Sequence, residues 1–309
     1  MFRSFVCIAF AAMCVSACSA PHANEAYTGT LYFALGQTLS ALNLQDHHVK
    51  LVYENPRIIM NSLTKLDDKH LLLGSMWQPH RGAPVESIMQ IVNRMNGHAI
   101  AYSSNMAKVV YLPRLKIIVF YGLTKAAPYH WALYWANVST PNQRHLIDQR
   151  HLIVNGSFGP IVVVSNHQVV YAVGIPGGNF RIKIYDFETH QSSFLNITDC
   201  DPRLWRSKTR QLLCSRVGAG HYYYLVNLDG SDKERIHLGI LNKGLFMVAY
   251  IKKYDVAVMS DYGGVWFSFK RGFHGTSYLY FYNFRTRKLI HISSRLAASP
   301  GAAVWYPSS

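Results

Sequence analysis

Turn signals of two kinds alternate along this chain, and that alternation limits its possible folds more than any other feature. The first kind comprises Gln45-Asp46, Asn96-Gly97, Thr140-Pro141, Glu188-Thr189, Asp229-Gly230 and Arg285-Thr286. The second falls between them, at Asp67-Asp68, Pro113-Arg114, Asn166-His167, Ser207-Lys208 and Lys252-Lys253. Successive members of either kind lie 41 to 56 residues apart. Asn-Gly and Asp-Gly predict two-residue hairpins in which both central residues take positive φ. The runs between turns are short, alternating or rich in β-branched and aromatic residues, which is the signature of strands. No stretch keeps a helical period for long, and 20 tyrosines with 15 phenylalanines suit pleated sheets. Four strands per period points to a propeller.

The stretch from Arg181 to Arg216 serves as the template, reading strand, turn, strand, connection, strand, turn, strand. On that template five blades fall at 60–103, 107–153, 161–197, 201–238 and 245–292. Three strands precede them, Gly29–Leu35, Thr38–Leu44 and Val49–Tyr53, and one follows, Ala302–Tyr306. Joined, these four make a sixth blade that contains both ends of the chain and leaves no open edge. The expected fold is therefore all-β: a six-bladed propeller of four-stranded antiparallel blades over 29–309. Seven blades with one degenerate unit, or a β-sandwich, are the alternatives.

The first residues, MFRSFVCIAFAAMCVSAC, combine Arg3 with an apolar run too short to span a bilayer. Val15-Ser16-Ala17-Cys18 resembles a bacterial lipobox. That resemblance implies a signal peptide over 1–17, palmitate-type lipidation of Cys18, and a tether over 18–28. Ser19 after the cysteine implies the outer membrane, facing the periplasm. The plainer alternative is an ordinary cleaved secretory signal. The net charge of +15 favours anionic partners such as phospholipid, lipopolysaccharide phosphate, acidic glycan or acidic protein. Export argues against nucleic acid. Five cysteines are present; Cys7 and Cys14 lie in the leader and Cys18 takes the lipid, which leaves Cys200 and Cys214. They flank Ser207 by seven residues each way, so a disulfide across neighbouring strands is expected, with two buried thiols as the alternative.

Ile184-Tyr185-Asp186-Phe187-Glu188-Thr189 followed by Asp201-Pro202-Arg203-Leu204-Trp205 resembles the TolB-type propeller repeat, and Asn227-Leu228-Asp229-Gly230-Ser231 resembles its Asn-x-Asp-Gly-Ser variant. The resemblance implies the fold, and a role in envelope protein interactions. Arg206-Ser207-Lys208-Thr209 replaces the family's Ser-Pro-Asp-Gly-Lys turn, and there is no room for TolB's N-terminal α/β domain.

Binding function on a rigid scaffold concentrates in loops. The loops joining second and third strands carry Trp77, His80 and Arg81; Tyr129 and His130; and Trp266, Lys270, Arg271 and His274. Aromatics beside Arg and Lys suit stacking on sugars and pairing with carboxylate or phosphate, so these nine residues form the expected binding face. Aromatics that merely cap blade ends are the competing explanation. The histidines show no metal-binding spacing, and no nucleophile elbow is present, so neither catalytic residue, metal nor cofactor is expected. The reading is a non-catalytic, lipid-anchored envelope propeller that binds a protein or anionic ligand. The alternative is a lyase-like envelope enzyme acting on acidic polysaccharide.

Overall fold

A computed structural model describes residues 27–77, 86–124, 131–149, 153–154, 157–174, 180–216, 222–238, 245–261, 266–268, 272–274, 278–292 and 302–308. The chain opens with β1 (Thr30–Leu35), β2 (Thr38–Asn43) and β3 (Val49–Glu54). Blade one is β4 (Ile58–Lys65), β5 (His70–Trp77), β6 (Glu86–Asn93) and β7 (Ala99–Ser104). Blade two is β8 (Met106–Leu112), β9 (Ile117–Leu123), β10 (Trp131–Asn137) and β11 (His145–Asp148). A two-stranded ladder, β12 (Ile153–Val154) with β13 (Ser157–Phe158), follows. Blade three is β14 (Val162–Val163), β15 (Gln168–Gly174), β16 (Phe180–Asp186) and β17 (Gln191–Thr198). Blade four is β18 (Asp201–Arg206), β19 (Gln211–Arg216), β20 (Tyr222–Asn227) and β21 (Glu234–Ile236). Blade five starts with β22 (Leu245–Ile251) and β23 (Val256–Asp261). A hairpin of β24 (Trp266–Ser268) and β25 (Gly272–His274) comes next, and β26 (Leu279–Asn283) and β27 (Lys288–His291) finish the blade. The last strand, β28 (Ala302–Tyr306), pairs antiparallel with β1 and completes a closing blade in the order β28-β1-β2-β3. The six-bladed ring expected from the turn spacing is the observed architecture.

The ring holds because each blade buries both of its faces. Six apolar clusters fill the six gaps between neighbouring blades. Along β1 the pleat sends Leu31 and Phe33 towards blade five and Tyr32 and Ala34 towards blade one. This is why second strands read as near-continuous apolar runs: β9 is Ile-Ile-Val-Phe-Tyr-Gly-Leu, buried except at its last residue. Buried ion pairs add directional clips between blades. Arg206 forks onto Asp255 with Nε–Oδ1 2.9 Å and Nη2–Oδ2 2.6 Å, and Lys183 reaches Asp148 at 2.6 Å.

Two sequence expectations change in detail. The Asn-Gly and Asp-Gly turns are not two-residue hairpins, because only Gly97 and Gly230 take positive φ, at 73° and 91°. The third strand of each blade ends in Asn43, Asn93, Asn137, Asp186, Asn227 or Asn283. In five of these the side-chain Oδ1 accepts the backbone N–H two residues on, and at Asn227 the Nδ2 donates to Ser231 and Asp232 instead. Such a cap supports a longer turn: four of the six enter the left-handed region once, at His47, Gly97, His190 and Arg287, and the turn after Asn227 does so twice, at Gly230 and Asp232. The glycines also let backbones approach. A Cβ at Gly97 would lie 2.1 Å from the Val52 carbonyl of the closing blade, and one at Gly230 2.2 Å from the Asn196 carbonyl of blade three.

In the second blade, the strand expected to run to residue 153 stops at Asp148, whose carboxylate turns to Lys183 of the next blade.

Cys200 and Cys214 form a disulfide with Cα atoms 5.0 Å apart, both fully buried. They do not lie directly opposite, since Cys214 pairs with Pro202. The turn ends at Arg210, which takes φ 57°, so its midpoint lies beyond Ser207, and a bulge between Pro202 and Leu204 shifts the register again. A two-residue offset keeps both sulfurs on one face of the pleat, so the bridge still closes.

Candidate functional site: the central channel

The innermost strands β28, β4, β8, β14, β18 and β22 touch one another in that cyclic order, so they line an axial channel. Four of them share a local irregularity. Their pairing with the second strand of the blade slips between Met60 and Ser62, Ala107 and Val110, Pro202 and Leu204, and Met247 and Ala249. A bulge leaves its extra residue outside the ladder and re-aims the side chain. The extra residues include Asn61, Lys108, Arg203 and Val248, and all four line a channel cavity of about 220 Å³. The bulges thus convert ladder positions into channel-lining positions.

Two of the four are cations. Arg203 is committed within the wall: its Nε donates to Ser215 Oγ at 2.8 Å and its Nη2 pairs with Asp201. Lys108 has no hydrogen bond or ion pair among the described residues. Its backbone sits at φ 51°, an unusual conformation for a side chain of this size. The residue is half-buried and lines the channel cavity, so its amine is surrounded by protein. Burial pushes its amine below the ordinary lysine value, and the Arg203 charge pushes the same way against Asp201. Beside it, Asn61 Oδ1 is buried without a partner. A lysine amine with no hydrogen-bond partner among the described residues, in a shaped cavity, is a group that an anionic ligand would pair with, whereas Asn61 Oδ1 is an acceptor and calls for a donor.

Towards the turns between first and second strands the channel changes character. A second cavity of about 490 Å³ is lined by Leu63, Leu66, Val110, Val163 and Val304, with Thr64, Lys65, Tyr111 and Pro113. Leu63, Thr64 and Val110 border both cavities, so the two adjoin along the channel.

Sequence reasoning placed the binding face elsewhere, on the loops between second and third strands. His80, Arg81, Tyr129, His130, Lys270 and Arg271 lie outside the described residues, as does Cys18. Trp77 ends β5, and Trp266 pairs with His274 across β24 and β25, while their side chains also lie outside the description. Lys108, Arg203 and Asn61 were not singled out, although Arg203 belongs to the quoted Asp-Pro-Arg-Leu-Trp motif. One group of potential metal ligands occurs among the described residues: His167, Asp186 and Glu188, with ligand atoms within 4.8 Å of one another. Asp186 is already occupied there, accepting backbone N–H groups of Glu188 and Thr189 on Oδ1 and the Gln168 amide on Oδ2. The cluster reads as a turn staple on blade three.

A ring of six blades round a cationic channel defines this chain as a six-bladed β-propeller. Solved structures share that fold. TolB from Acinetobacter baumannii superposes with TM-score 0.65 at 12% identity, covering 91% of this chain and 67% of that one. A putative TolB from Agrobacterium tumefaciens gives TM-score 0.63 at 13% identity, covering 91% of this chain and 100% of that one. An oligogalacturonate lyase in complex with manganese gives TM-score 0.52 at 12% identity, covering 88% and 74%. The likeness shows a TolB-like propeller fold. No protein-family profile matches the sequence, and no curated protein matches it.

Proposed function

We propose that this chain is an exported, lipid-anchored envelope propeller that binds, without catalysing a reaction, an anionic group in its central channel. One observation carries the reading: Lys108, held at a bulge in the channel, makes no hydrogen bond or ion pair among the described residues. The TolB-like fold and the net charge of +15 support it. The anchor is Cys18, and the bearer of the anion is an envelope protein, glycan or lipid. The test titrates purified protein with inorganic phosphate, polygalacturonate and anionic phospholipid vesicles. Saturable binding that Lys108→Met weakens tenfold or more supports the reading. Equal binding by that variant overturns the channel as the site. Palmitate labelling in growing cells tests the anchor: label lost in Cys18→Ser supports it, and label retained refutes it.

The second reading is a lyase acting on acidic polysaccharide. The fold likeness to a manganese-bound oligogalacturonate lyase favours it, and the same cation suits a uronate carboxylate. Bound metal in purified protein, together with unsaturated sugar released from polygalacturonate, would replace the first reading with this one.

A further inference from the structure

The two channel cavities join a polar waist to an apolar vestibule, and each end asks for a different part of one ligand. At the waist stands the Lys108 cation. In the vestibule, side chains from four blades present aliphatic surface to the lumen: Leu63 and Leu66 from blade one, Val110 from blade two, Val163 from blade three and Val304 from the closing blade. Leu66, Val110, Val163 and Val304 are only half-buried. Two polar side chains in this wall are already used: Thr64 Oγ1 donates to the Val109 carbonyl at 2.7 Å, and Lys65 pairs with Asp68 at 2.7 Å while lying over the Tyr306 ring. Concave apolar surface of this kind marks a ligand cavity. Lys108 stands near the start of β8 and Pro113 just past its end, so waist and rim are roughly 15 Å apart at the rise of a strand.

We infer that the channel takes an amphiphile: a linear aliphatic chain in the vestibule, with a carboxylate or phosphate monoester head on Lys108. The inference rests on the anion-binding reading above and adds the tail to it. A compact anion would leave the aliphatic wall wet, and a neutral chain would leave Lys108 without a partner. Together the two cavities accommodate both parts.

Calorimetric titration of the whole mature protein with acetate, octanoate and laurate, each below its micelle concentration, reads head and tail separately. Affinity should rise about fourfold per methylene buried, at the usual gain for removing a CH₂ from water. Val163→Thr and Val304→Thr, which keep side-chain shape and line only the vestibule, should flatten that chain-length dependence and leave acetate binding unchanged. Lys108→Met should weaken laurate at least tenfold, and Lys108→Arg should retain it, which separates loss of charge from loss of fold. Lauryl phosphate beside laurate shows which head group the waist prefers, and tight binding of either supports the inference. Acetate and laurate binding equally would overturn the amphiphile and leave the anion site standing. Absence of binding by acetate, laurate and inorganic phosphate alike would overturn both.

Discussion

Breaking the Arg206–Asp255 pair should unclip blades four and five, and the size of the effect follows from its burial. Arg206 and Asp255 side chains are 12% and 6% exposed. Asp255 accepts two hydrogen bonds from the guanidinium and one, at 2.9 Å, from Tyr250. Removing the guanidinium with Arg206→Met leaves a buried carboxylate supported by Tyr250 alone. Losing one partner of a buried pair costs about 3–5 kcal/mol. At roughly 2 °C per kcal/mol for a domain of this size, the melting temperature should fall by about 6–10 °C. The double variant Arg206→Met/Asp255→Asn removes the stranded charge and should recover much of that loss. Acid titration supplies an independent readout. Burial pushes the Asp255 carboxyl up, but the bonds from Arg206 and Tyr250 outweigh it and hold the carboxyl below its ordinary value. A carboxyl with a lowered folded pKa stabilises above its unfolded pKa, and that contribution disappears as pH falls through the folded value. Asp255→Asn should therefore flatten the acid side of the stability profile. A loss under about 1 kcal/mol in Arg206→Met, measured by urea unfolding, would place the pair with exposed ion pairs and refute the reasoning.

Gly230→Ala combines a left-handed backbone with a Cβ 2.2 Å from the Asn196 carbonyl, so urea unfolding should show a loss of about 2–4 kcal/mol. Gly159→Ala is the matched control, because its nearest neighbours lie 3.6 Å away; it should be neutral or stabilising by about 0.4–1 kcal/mol. Replacing Cys200 and Cys214 by serine opens a loop of sequence separation 14 and should cost about 3 kcal/mol, read as the same shift on reducing the parent protein. Anion binding at Lys108 should fade as pH rises through an amine pKa set below the ordinary lysine value by burial, and calorimetry of Lys108→Arg should show the loss moved to higher pH.

The blades were legible because their periodicity serves two faces at once. A strand such as β1, with Leu31 and Phe33 on one side and Tyr32 and Ala34 on the other, can only be the inside of a stack. The turns were legible as places but not as types. Asn93 and Asp186 end their strands as caps, and that recurring position, rather than the Asn-Gly pair itself, is the repeat's stable mark. The channel was not legible. Lys108 follows Ala107 in a run that alternates like any strand, and nothing in Met-Ala-Lys-Val-Val announces a bulge. A register slip depends on how two strands pair, which neither strand states alone. The register of Cys200 against Cys214 departed from simple counting for the same reason.

The closing blade has a consequence in time. β1, β2 and β3 precede the other five blades in the chain, and β28, the partner of β1, follows them. Until that strand arrives, the Thr30–Leu35 backbone offers an open edge to any extended segment nearby. The closing blade is thus begun before the other five and finished after them, and whatever protects a growing chain must guard its edge throughout.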